Sequence, residues 1–337
     1  MTCLDTGETM RVAVLDDYHR VFDDNLSIGR LRERAPVDVF TEKLASLDAV
    51  RGYQVLIALR ERTRFDESFF SLLPELELIA QTGNHAYHVD LAAATRAGVL
   101  VCMGSSDMTA MTDIAASTIE LTFGLMMALL RRIPQTDREI RDGRWPSVLG
   151  QTLRGKRLGI LGLGRIGREV ARIALGFGMK VLAWGPTLTP ARAADAGVER
   201  MELEPLLEAS DIVSVHLKLS EQSRGLLDES RLRRIGPRAV LVNTARGAIV
   251  DEAALARVLE ERALGGAALD VFTEEPLPAD SPLRKLDNVV LTPHLGWPAD
   301  LTYRYMAEAV VRIVEGYLDG SHDRALNPEA LQHRRRG

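Results

Sequence analysis

Three glycines constrain this chain more than anything else in it. Residues Arg157 to Leu161 read as a short apolar strand, and Gly162, Gly164 and Gly167 follow it at G-x-G-x-x-G spacing. Ile166, Val170, Ile173, Ala174 and Phe177 then recur at helical spacing. A glycine-rich turn alone is weak evidence, because such turns are common. A strand before it and a helix after it make it specific. The first glycine then permits a tight turn, the second lets backbone approach a pyrophosphate, and the third lets helix and strand pack closely. The helix N-terminus adds unpaired N–H groups and a positive dipole end. The stretch is read as a dinucleotide-binding turn. It departs from the pattern in one place. The second strand, Met179 to Trp184, should end at an acid that holds the adenosine ribose 2′-OH, and Gly185, Pro186 and Thr187 stand there instead.

The chain's 337 residues suggest two domains. A net charge of −5 gives no electrostatic case for nucleic acid or an acidic membrane as partner. Cys3 and Cys102 are too few for a disulfide framework and point to a reducing, cytoplasmic setting. The N-terminus carries Asp5 and Glu8 and lacks an apolar signal core. The apolar run Leu121 to Leu130 is too short to span a bilayer and reads as a buried helix. No His/Cys cluster suggests a metal site. The basic end, His333 to Gly337, reads as a frayed tail.

Before the glycine turn, short apolar strands alternate with helical stretches. Strands are expected at Arg11 to Leu15, Val37 to Phe40, Tyr53 to Leu59, Glu77 to Gln81 and Val99 to Cys102. Amphipathic stretches such as Phe65 to Leu73 and Val89 to Ala97 lie between them. This rhythm predicts a parallel sheet with helices on both faces, a flavodoxin-like domain. Gly104 to Asp113 is a candidate crossing, and a long helix follows from about Asp113 to Arg132, stopped by Pro134. The rhythm restarts at Arg157, with strands at Met179 to Trp184, Asp211 to His216, Ala239 to Thr244, Gly266 to Val271 and Asn288 to Thr292. A last helix, Leu301 to Leu318, is expected to return to the first domain. The predicted fold class is α/β, with two doubly wound parallel sheets.

Three polar residues follow the last strands: Arg246, Glu275 and His294. Loops at the carboxyl ends of neighbouring parallel strands converge on one crevice, so the three could meet. An arginine presents a planar fork to a carboxylate, and a histidine can pass a proton near neutrality. With a nicotinamide in the crevice, the set suits hydride transfer at a carbon bearing oxygen. Arg246 would grip the substrate carboxylate and polarise its carbonyl, His294 would protonate the oxygen, and Glu275 would support His294.

On Leu158 to Gly167, Val242 to Gly247 with Ile249-Val250-Asp251, Leu269 to Phe272 leading to Glu275-Pro276, and Thr292 to Gly296, the chain resembles the D-isomer-specific 2-hydroxyacid dehydrogenases. The likeness runs from about Arg11 to Leu318. It implies catalysis by Arg246, Glu275 and His294, and an aspartate near the nicotinamide amide at Asp270. It implies cofactor contacts at Arg165, Ile166, His216, Leu217, Thr244, Ala245, His294 and Gly296, with Gly185 and Thr187 beside the ribose. It further implies a Rossmann-type cofactor domain, 106–296, inserted in a discontinuous flavodoxin-like substrate domain, 1–105 and 297–337. An active site in the cleft and a homodimer through the cofactor domain would follow.

The chain departs from that family at several positions. With Gly185 in place of the acid, a 2′-phosphate would not be repelled, and Thr187 or Thr189 could bond it. Arg192 is near but is expected on the next helix. NAD is the expected cofactor, with NADP open. Asn84 and His85 occupy the loop whose backbone would receive the substrate carboxylate, and His85 stands where a second glycine is usual. Lys218 and Trp297 are also unusual. Arg60 aligns with a position near substrate, and Arg60, Arg62 and His85 could bind a second anion; the alternative is that the arginines pair with Glu61 or Asp66. The expected activity is reduction of a small 2-keto acid to a D-2-hydroxy acid. A non-catalytic, NAD(H)-sensing corepressor-like scaffold is the rival reading.

Overall fold

The structure, a computed structural model, describes residues 10–83, 86–104 and 108–333. It divides into two compact units, Met1–Ile114 with Asp300–Gly337, and Ala115–Ala299. In the first, β1 (Val12–Leu15), β2 (Val37–Val39), β3 (Val55–Ala58), β4 (Leu78–Thr82) and β5 (Leu100–Gly104) form a parallel sheet in the order β2-β1-β3-β4-β5. This is the flavodoxin-like order. Strands β1, β3 and β4 are buried along their whole length, as parallel strands covered on both faces must be. Helices α1 (Leu26–Arg32), α2 (Glu67–Leu72) and α3 (Leu91–Arg96) begin at Asn25, Asp66 and Asp90, whose side chains accept from first-turn N–H groups.

The boundary between units falls within α4 (Met108–Leu130), which α5 (Ile133–Arg141) follows. Seven parallel strands then build the second sheet: β6 (Arg157–Leu161), β7 (Lys180–Trp184), β8 (Glu199–Arg200), β9 (Ile212–Val215), β10 (Val240–Asn243), β11 (Gly266–Leu269) and β12 (Val289–Leu291). Their order is β12-β11-β10-β9-β6-β7-β8. Strand order reverses at β6, between β7 and β9, which is the topological switch point where such sheets bind ligands. The connections carry α6 (Arg165–Gly176), α7 (Pro190–Asp195), α8 (Leu203–Ala209), α9 (Glu229–Ile235) and α10 (Glu252–Glu260). Alternation along β6 sends Leu158 and Ile160 into one core with Val170 and Ala171 of α6, and Leu161 into the other with Val213, Val215 and Leu241. The expected fold class of two doubly wound parallel-sheet units is what the chain adopts.

The last helix, α11 (Asp300–Leu318), packs on α1, β4 and β5 of the first unit. Arg30 of α1 bridges Glu308 and Glu315 of α11. Burial opposes the charge on Glu308, but the Ser27 hydroxyl, Arg312 and Arg30 outweigh it and hold the carboxyl at about 2.

Differences from the sequence expectation are local. The long helix starts at Met108 and stops at Leu130. Arg132 adopts φ 53°, and Pro134 opens α5 instead of merely ending α4. A proline in the first turn lacks an N–H that would have had no intrahelical partner. Strand β8 was not anticipated, because Glu199 and Arg200 are both exposed and carry no apolar signal. The tail beyond His333 lies outside the described residues. Among the described residues no helix is long and apolar enough to cross a membrane.

Candidate active site

Two glycines of the turn after β6 have a steric reason to be glycine, and the third leaves room for a ligand. Gly162 has φ 102° and donates to the Trp184 carbonyl at 2.7 Å; a Cβ there would stand 2.8 Å from the His216 carbonyl carbon. At Gly167 a Cβ would lie 2.1 Å from the Gly162 oxygen, so α6 could not approach the turn. A Cβ on Gly164 would meet nothing within 4 Å, so the space beside its backbone is open to a ligand. Gly164 is also the N-cap of α6 and offers no side-chain acceptor, so the first N–H groups of that helix are left for a ligand anion. Residues 162–167 therefore fit a pyrophosphate. Across the switch point, His216 donates its N–H to Leu161 and bonds Ser214 Oγ through its ring at 2.9 Å. Burial pushes the His216 imidazole down to about 4, so the ring is neutral at neutral pH.

Gly185 sits beside that turn. A Cβ on it would meet only Leu188 Cβ at 3.6 Å and Gly162 Cα at 3.9 Å, which is ordinary contact. Thr187 is exposed. Arg192 belongs to α7, yet its guanidinium turns back to the loop: Nη1 donates to the Thr187 carbonyl at 2.9 Å and Nη2 to Leu163 at 3.4 Å. Sequence reasoning left Arg192 aside. The signal that could have included it is Thr189, which caps α7 and so puts Arg192 in its first turn.

Arg246, Glu275 and His294 follow β10, β11 and β12, which are neighbours in the sheet. After β10, Asn243 shapes the turn, accepting from the Ala245 N–H and donating to the Arg246 carbonyl, both at 3.0 Å. Thr244 is buried and bonded to Thr122 of α4. Arg246 is exposed, with Nη1 on the Ala245 carbonyl at 2.6 Å. Gly247 presses this loop onto the next: a Cβ there would stand 2.0 Å from the Phe272 carbonyl carbon. Glu275 spans two loops. Its Oε1 accepts from the Phe272 N–H at 3.0 Å and its Oε2 lies 2.7 Å from His294 Nδ1. Both side chains are a little over one-third exposed, His294 at 36% and Glu275 at 37%. The structure thus joins Glu275 to His294 and puts Arg246 on the adjoining loop.

Asp270 organises the loop that carries His294. It is fully buried at the end of β11. Its Oδ1 accepts from the Thr292 hydroxyl at 2.5 Å and the Leu295 N–H at 2.7 Å, and its Oδ2 from the Gly296 N–H at 2.8 Å. The Asp270 carbonyl takes the His294 N–H at 2.9 Å, holding that residue at φ 55°. Ser117 and Thr118 of α4 anchor the Gly296 carbonyl. Sequence reasoning did not find these supports, and it held Gly247 only as part of a motif, without its packing role.

In the first unit, Arg60 adopts φ 60°, donates its N–H to Thr82 Oγ1 at 2.8 Å, and lies 3.6 Å from Glu61. Its Nη1 is 3.2 Å from where a Cβ on Gly83 would be. Arg62 donates to the Asp16 carbonyl at 2.5 Å, stacks on Tyr18 at 4.7 Å, and reaches the Tyr303 hydroxyl at 3.4 Å. Asn84 and His85 lie outside the described residues. Among the described residues no group of three or more His, Cys, Asp or Glu side chains could hold a metal.

The profile for the D-isomer specific 2-hydroxyacid dehydrogenase, NAD binding domain, matches residues 123–296. The chain is 36% identical over 294 residues to a glyoxylate reductase of Korarchaeum cryptofilum (strain OPF8), covering 84% of this chain and 86% of that protein. It is 39% identical over 293 residues to the D-3-phosphoglycerate dehydrogenase of Rattus norvegicus, covering 86% of this chain and 53% of the relative, so it spans about half that protein's length. Among solved structures, a phosphoglycerate oxidoreductase from Vibrio cholerae O395 superposes with a TM-score of 0.78 at 31% identity, covering 93% of this chain and 100% of that one. The chain belongs to the D-isomer-specific 2-hydroxyacid dehydrogenase family and is an NAD(P)-dependent oxidoreductase of that class.

Proposed function

We propose that this chain reduces a small 2-keto acid to a D-2-hydroxy acid, and the reverse, with His294 as acid/base. The observation that carries the proposal is the 2.7 Å contact between His294 Nδ1 and Glu275 Oε2. An ionised carboxylate can only accept, so Nδ1 carries the proton in that bond and Nε2 is left to face the reacting oxygen. The nicotinamide, when bound, supplies or takes the hydride. His294 Nε2 gives a proton to the carbonyl oxygen as the carbon is reduced, and recovers it in the oxidation direction. Glu275 holds the ring in one orientation through reduction and oxidation alike. Arg246, always charged, pairs with the substrate carboxylate and draws electron density from the carbonyl.

The second unit is assigned the cofactor, through residues 162–167, Gly185, Thr187, His216, Leu217, Thr244, Ala245, Asp270 and Gly296. The first is assigned the substrate, with Arg60 and the backbone of Asn84 and His85 as its anion contacts. A homodimer through the second unit is proposed because α5 buries no residue of its own, while Trp145 and Leu149 after it are 90% and 97% exposed. The cysteine usage favours a cytoplasmic setting.

A panel of 2-keto acids, phosphorylated ones included, assayed by absorbance with each reduced cofactor tests the activity. Oxidation of the cofactor with at least one of them is expected. Tight cofactor binding without oxidation by any would favour the scaffold reading.

A further inference from the structure

We propose that the adenosine ribose pocket of this chain is built for a 2′-phosphate, so that it binds NADP(H) in preference to NAD(H), with Arg192 as the selecting residue. The inference rests on the reading of residues 162–167 as a dinucleotide turn.

Two independent observations carry it. The first is position 185. An acid there would bond the ribose hydroxyls of NAD and repel a phosphate. Glycine is not required at 185 by the backbone or by space, since an added Cβ would make only ordinary contacts. The acid is absent where it would fit, and residues 185–192 contain no carboxylate at all.

The second is Arg192. Its guanidinium lies between the Leu163 carbonyl, inside the glycine turn, and the Thr187 carbonyl, two residues past Gly185. Among the described residues no carboxylate pairs with it. Neighbouring arginines are neutralised locally: Arg168 by Asp195 at 2.9 Å and Arg200 by Glu202 at 2.8 Å. Arg192 is the exposed cation at this loop whose bonds go to neutral groups. Exchanging a neutral carbonyl for a phosphate gives a charge-assisted, bidentate bond of about twice the strength. Arg165, exposed at the first position of α6, adds positive charge near the turn. Thr187 offers a hydroxyl at the same lip.

Binding, not turnover, tests this. Titration calorimetry with NADP+, NAD+, adenosine 2′,5′-bisphosphate and adenosine 5′-monophosphate reads the adenosine end directly. The wild-type chain is expected to prefer each 2′-phosphorylated member by about tenfold or more, ~1.4 kcal/mol. Arg192→Ala should remove that preference while leaving NAD+ affinity within about twofold. Gly185→Asp, where space is open, should reverse it. An equal loss for both cofactors in Arg192→Ala would make the arginine a clip for the loop and overturn the proposal. So would a wild-type chain that binds NAD+ as tightly as NADP+. If neither dinucleotide binds, the reading of the glycine turn itself fails, which is a different result.

Discussion

Gly247 lies so close to Phe272 that a single added Cβ would stand 2.2 Å from the Phe272 carbonyl oxygen. The contact couples two loops that carry different parts of the proposed site. Arg246 is the neighbour of Gly247, and the Phe272 N–H is held by Glu275. Gly247→Ala is therefore expected to push the loops apart. Stability should fall by about 1–3 kcal/mol, as overpacking does. Turnover should fall with it, while cofactor binding at residues 162–167 stays near the wild-type value. Urea unfolding and cofactor titration on the same preparation check both parts.

Asp270 carries three hydrogen bonds from the His294 loop while fully buried. Asp270→Ala leaves the Leu295 and Gly296 N–H groups without their acceptor, and a buried unmet donor costs about 1–3 kcal/mol. A loss of stability in that range, with turnover reduced by misplacement of His294, is the expected outcome. Denaturant unfolding together with reductase assays measures it.

Glu275→Gln keeps an oxygen able to accept from His294 but removes the charge. Turnover should drop on the order of 10²-fold, within the range general acid–base partners contribute. KM should move much less, because the substrate carboxylate is assigned to Arg246. Steady-state kinetics separate the two terms.

His216 gives the pH dependence a defined sign. Its folded value, about 4, lies below the ordinary 6.5, so the unfolded chain binds the proton first. The folded state keeps its full advantage above pH 6.5 and loses it as pH falls towards 4. The loss is on the order of 3 kcal/mol at the acid end. His216→Gln, which cannot titrate, should flatten the stability curve across that window. Thermal unfolding of both proteins over the range is the measurement.

What could be read in advance followed from period and position. Continuous apolar runs such as Val240-Leu241-Val242 announce strands covered on both faces, and their boundaries came within a residue or two. The glycine spacing announced the β6–α6 turn because Gly162 and Gly167 answer local backbone and packing demands, while Gly164 leaves the turn open. Strand β8 could not be read, since Glu199-Arg200 pairs with β7 without any apolar pattern. Pro134 is ambiguous in sequence, as proline ends one helix and starts another by the same missing N–H. The support Asp270 gives the His294 loop, and the return of Arg192 to Leu163, depend on where a side chain points in space. No spacing rule encodes that.

The central claim is that His294 moves the proton. Replacing it with asparagine and measuring turnover beside cofactor affinity tests this most directly. The account predicts a fall of about 10²-fold or more in turnover, with cofactor affinity nearly unchanged. Turnover equal to wild type would contradict it.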